Sequence, residues 1–157
     1  MSDPPARVEI DDRSGPSDGV DESMPSAGPL PRVGEVTPGW RIVLAIAWIA
    51  VALALAAVWN TSVQLGRSTW WLGPRGDPMP RIVRFVPFIA PIGMVFAAIE
   101  NVRWIAAAGI AASIVTAAIG LGDLGRVPSI AAVELAIAGA GAAISIAALT
   151  GTYRARR

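Results

Sequence analysis

Four apolar runs, residues 42–59, 85–99, 104–121 and 130–149, hold 71 of the 157 residues and only one charge, Glu134. A helix folded in water carries its charges along one face. Here the other 24 of 25 charges are confined to the segments between the runs. Runs of 15–20 residues correspond as helix to roughly 22–30 Å, close to the hydrocarbon thickness of a bilayer. Backbone in hydrocarbon must satisfy its own hydrogen bonds, which helices of this length do. The sequence therefore predicts an all-α protein: an integral membrane four-helix bundle with a disordered N-terminal tail. The spans are expected at about 41–59, 82–100, 104–121 and 130–150, within a membrane domain covering 40–153.

The remaining composition narrows the chemistry. There is no cysteine and no histidine, so thiol nucleophiles, thiolate metal sites and the commonest general base are excluded. Residues 1–39 carry eight acids against three arginines, while 40–157 carry ten arginines against four acids. An acidic tail on a basic membrane body is no nucleic-acid binder. The tail contains seven prolines and five glycines without apolar periodicity. Too little apolar surface is available there to offset the entropy of ordering, so disorder is expected.

Within the membrane domain, five tryptophans stand where interfacial anchors would: Trp40 and Trp59 around the first span, Trp70 and Trp71 in the following loop, and Trp104 at the head of the third span. Asn60 is read as ending the first span, and Ser129 as an N-cap of the fourth. Pro87 and Pro91 lie one turn apart in the second span. Each removes a backbone donor, so a kink is expected there. The four residues 100–103 leave room only for a tight antiparallel turn. In the fourth span Ala138, Gly141, Ala142 and Ser145 form a small-residue face, the kind that lets two helix backbones approach in lipid. Its partner is another span of this chain, a second copy or another membrane protein. The basic residues Arg154, Arg156 and Arg157 follow the last span. Arginines are nearly balanced between the two sides, and this compact triplet favours cytoplasmic termini in an inner membrane.

Glu134 is the ionisable group set deepest in an apolar run, and such groups are functional candidates by default. Arg84 enters the membrane from the same side at similar depth, which makes a Glu134–Arg84 ion pair the expected arrangement. Four spans in so short a chain resemble the layout of the small multidrug-resistance transporters. That family carries its membrane glutamate in the first span, and here the first span has no acid. No spacing matches a nucleophile–base pair, a metal cluster or a phosphate loop, so no enzyme activity, cofactor or metal is expected. The first functional expectation is a structural or accessory subunit that works through helix packing, with the lipid bilayer and a membrane partner as its contacts. The alternative is a small transporter or channel subunit using the proline-bent second span and Glu134.

Overall fold

The computed structural model describes residues 32–67, 69–73 and 80–153. The expected disorder of the chain up to residue 31 and the basic residues 154–157 lie outside them. Helix α1 covers Pro38–Leu65, α2 Arg81–Arg84, α3 Val86–Ile99, α4 Ile105–Asp123 and α5 Pro128–Ala148, the last continued by a single 3₁₀ turn, Leu149–Gly151. Helices α1, α4 and α5 with its terminal turn are long and apolar enough to cross a membrane, and α3 is a shorter apolar helix. They form a closed ring in which α4 packs on α5, α5 on α1, α1 on α3 and α3 on α4. The architecture is an all-α membrane bundle, as the apolar runs imply.

The bundle is apolar outside and partly polar inside. Ile42, Leu53, Ile89 and Ile114 are each more than 60% exposed, whereas Ser62, Ser113, Thr116, Asp123, Glu134 and Ser145 are buried. In water such a surface would exceed any ordinary apolar patch on a soluble protein. In lipid it costs nothing, and the interior is where polar groups must find partners. Ser113, Thr116 and Ser145 do so on their own helices, donating to the carbonyls of Gly109, Ala112 and Gly141 at 2.7–2.9 Å.

Helix α1 outruns its expected end at Asn60 by more than a turn. Ser62 is packed inside, and this tertiary burial overrides the weak helix propensity of the Asn60–Ser62 stretch. The stop comes at Gly66, whose φ of 70° places it in the left-handed region that ends helices. At the start, Pro38 occupies the first turn, where its missing N–H leaves nothing unpaired. Helix α5 begins at Pro128 for the same reason, so Val127 rather than Ser129 is its N-cap.

The second apolar segment is divided into two helices. The break falls at Phe85, between α2 and α3. Pro87 has no N–H for the carbonyl of Val83 and disfavours helical geometry at Val86, so the helix restarts with Pro87 in its first turn. Only Pro91 lies in a helix interior, and both prolines are buried. At the far end, Arg41 of α1 reaches across to α3. Its Nε donates to the carbonyl of Ala98 at 3.1 Å and its Nη2 to that of Ile99 at 2.5 Å. The cation thus satisfies carbonyls left over at a helix C-terminus.

Residues 32–37, expected to belong to the disordered tail, are part of the fold. Val36 pairs with Thr152 in an antiparallel bridge. The Gly34 amide donates to Tyr153 at 3.0 Å, the Tyr153 amide to Glu35 at 2.9 Å and the Thr37 amide to Gly151 at 3.0 Å. The Trp104 amide donates to Gly34 at 2.9 Å. Trp104 holds a left-handed φ of 61° in the tight turn, a conformation costing a non-glycine residue about 1 kcal/mol or more. The bond to Gly34, and the closeness of the indole to Gly34, where an added Cβ would lie 3.2 Å from the ring, hold it there.

Candidate functional site

The α4–α5 hairpin builds the site from two glycine–serine pairs. Gly109 on α4 leaves no room for a Cβ because Ser145 of α5 abuts it, and Gly141 on α5 is met in turn by Ser113 and Trp48. Each serine is bonded to its own helix, so the two backbones dock through small, satisfied groups. Ala138, Gly141 and Ser145 are therefore buried within this chain, with Ala142 half-buried at the margin. The partner of that small-residue face is α4.

This docking sets the register of Glu134. Its Cβ passes directly over Gly120, where an added Cβ would lie 3.0 Å away. Helical side chains lean toward the N-terminus of their helix. Glu134 therefore reaches toward the α4–α5 turn, where Asp123 lies one turn beyond Gly120. Both acids are fully enclosed, at 0% exposure, and their carboxyl groups lie within hydrogen-bonding reach of each other. Glu134 sits six residues past Pro128, about 9 Å along α5.

The loop after α1 closes over the two acids. The Trp70 amide donates to Asp123 Oδ1 at 2.8 Å, and its indole N–H to the Ile119 carbonyl at 3.0 Å. The Trp71 indole N–H donates to Glu134 Oε1 at 3.3 Å. Gly122 leaves the space in which the Trp70 ring lies. Trp71 is completely buried and stands edge-on to Trp59 and Phe88, with centroids 5.8 and 6.5 Å away. One oxygen of each acid, Asp123 Oδ2 and Glu134 Oε2, is enclosed without a donor from any other group.

The expected Glu134–Arg84 ion pair is not formed. The neighbours of the Glu134 carboxyl are Trp71 and Asp123, and half-buried Arg84 on α2 is not among them. Matching depth placed the two residues at one level, but α5 turns Glu134 toward α4 and the loop. The tryptophans also divide. Trp104 is exposed as an anchor would be, while Trp40, Trp59 and Trp70 are half-buried and Trp71 is enclosed with its N–H bonded inside the protein. The indole N–H groups of Trp70 and Trp71, expected as interfacial anchors, are thus both bonded inside the protein. Asp123 was missed because it stands at the end of a run, where an acid reads as solvated. Its signal is the sequence Gly120-Leu121-Gly122-Asp123, whose two small residues let other groups close in.

Among the described residues no three acids, histidines or cysteines come together as a metal site. No protein-family description, no curated protein and no solved structure matches the chain. The chemistry of the site follows from its own atoms. Two acids in contact away from water cannot both hold a negative charge, and a hydrogen bond between carboxyl groups requires a proton on one of them.

Proposed function

We propose that this chain is a four-pass membrane protein serving as an accessory subunit, which holds a transmembrane helix of a partner against its α1–α5 face. Four passes are supported by the bridge between Val36 and Thr152. It puts the start of α1 and the end of α5 on one side, which needs an even number of crossings. Three helices are long enough alone, and α2, Phe85 and α3 supply about 28 Å more as the fourth. The compact arginine triplet at 154–157 favours cytoplasmic termini.

The observation that carries the accessory role is a groove open to lipid between α1 and α5. Its floor on α1 is Ala47, Ala50, Ala54 and Ala57, at helical spacing, facing Ile137 and Ala140 of α5. Apolar character distinguishes nothing in a membrane, where all surfaces are apolar. Close approach does, because van der Waals packing on small residues drives helix association in lipid. Inside the bundle α4 and α5 use the same device, and here it remains without a partner among the described residues. From Ala47 to Leu65 the groove runs about 27 Å, the length of one span rather than of a small ligand.

A photoreactive residue at Ala54 in the native membrane tests this. The expected product is a crosslink to a transmembrane segment of another polypeptide, lost when Ala50→Leu and Ala57→Leu fill the groove. Crosslinks to lipid alone would overturn the proposal, and crosslinks to a second copy would replace the partner by self-association. The transporter reading is favoured by one observation, the enclosed acid pair. It requires flux in reconstituted vesicles that Glu134→Gln abolishes.

A further inference from the structure

The acid pair carries an inference independent of both functional readings. Two fully enclosed carboxyl groups lie within hydrogen-bonding reach of each other, each with one oxygen engaged by a cover donor and one oxygen that no other group supplies with a hydrogen. Trp70 and Trp71 donate once to each acid, so the cover is matched to the pair rather than to either acid alone. We propose that Asp123 and Glu134 form a binding site for one exchangeable proton, held between their carboxyl groups and closed from solvent by the Trp70–Trp71 loop.

The unpartnered oxygens decide the ligand. Asp123 Oδ2 and Glu134 Oε2 would each be a buried acceptor without a donor, an unfavourable state. A single proton between them satisfies both and removes one of the two charges. The charged groups around the pair do not take over this task. Arg126, on the turn after α4, acts on Asp123 but is itself exposed. Arg81 and Arg84 stand on α2, while α3 and the part of α1 beyond Arg41 carry no ionisable side chain. The tryptophans engage the other oxygen of each acid, Asp123 Oδ1 and Glu134 Oε1. Exchange requires the cover to lift, which breaks two hydrogen bonds to the acids and withdraws Trp71 from its aromatic neighbours.

Infrared difference spectroscopy on the full chain in lipid nanodiscs tests the proposal. The expected result is one protonated carboxyl per chain at neutral pH, seen as a carbonyl stretch that shifts slowly in heavy water. That band is expected to disappear in both Asp123→Asn and Glu134→Gln, because an amide beside the remaining acid donates to it and lets it ionise. Circular dichroism on the same samples establishes that each variant keeps its helices. The measurement on the unaltered chain stands alone should a variant fail to fold. Absence of a protonated carboxyl at neutral pH would overturn the proposal. So would a band that survives both substitutions, or one erased by sodium at constant pH, which would make the ligand a metal cation.

Discussion

Trp71 donates its indole N–H to Glu134 at 3.3 Å, and neither residue has any exposed surface. A loop that the sequence places at the water interface is thereby tied to the most deeply set acid of the chain. The bond joins the end of α1 to α5 without a salt bridge, and it makes the loop part of the bundle.

Replacing Trp71 with phenylalanine should keep most of the edge-on packing and lose the donor, leaving Glu134 Oε1 unsatisfied. The expected cost is about 1–3 kcal/mol, and alanine should cost more, about 3–5 kcal/mol, because a cavity is added. Thermal unfolding in a fixed detergent, followed by circular dichroism, measures both. Equal midpoints for the two variants and the parent would contradict the enclosed placement.

Gly139 and Gly141, two positions apart, should respond oppositely to the same change. An added Cβ at Gly139 meets nothing, whereas at Gly141 it meets Ser113 at 3.0 Å and Trp48 at 3.4 Å. Gly139→Ile is expected to be tolerated and Gly141→Ile to separate α4 from α5, with loss of the folded, monodisperse protein in size-exclusion chromatography.

Arg41 caps α3 through two donors set in one plane, a geometry lysine lacks. Arg41→Lys should lose one bond and Arg41→Leu both, at about 1.5–3 kcal/mol for a hydrogen bond involving a charged group. The melting temperature is expected to fall in that order.

Removal of residues 1–31 should leave the membrane domain as stable as before, whereas removal of 1–37 should lower its melting temperature. The second deletion takes away the amides and carbonyls that bond Gly151, Tyr153 and Trp104. Faster amide exchange at Trp104 only in the shorter protein would identify the cause.

Filling the α1–α5 groove should separate binding from folding. Ala50→Leu and Ala57→Leu add apolar atoms to a lipid-facing surface, so the stability of the purified protein is expected to change by no more than about 0.5 kcal/mol. Recovery of a stoichiometric partner in native mass spectrometry should be lost.

How much of this was visible beforehand depends on whether a property is local. Hydropathy belongs to each residue, so the apolar runs, the helical class, the small-residue face of α5 and the oddity of Glu134 were all legible. Helix ends were less so. Asn60 reads as a stop but Ser62 is buried, and the break at Phe85 depends on Pro87 acting on the turn before it. The partner of Glu134 was misjudged because depth along a helix can be counted from sequence, while rotation about its axis cannot. Asp123 was passed over since a polar residue at the end of a run reads the same whether it faces water or is covered.

The sequence by itself determined that these helices are built for lipid, since only hydrocarbon accepts such long stretches without charge. Tertiary structure alone decided what the interior acid touches. The interlocking of Gly109 with Ser145 and of Gly141 with Ser113 sets the rotation of α5 against α4, and that rotation turns Glu134 toward Asp123. The return of the loop after Gly66 then brings Trp70 and Trp71 over them. These are relations between distant segments, governed by steric fit, and no single stretch of chain encodes them.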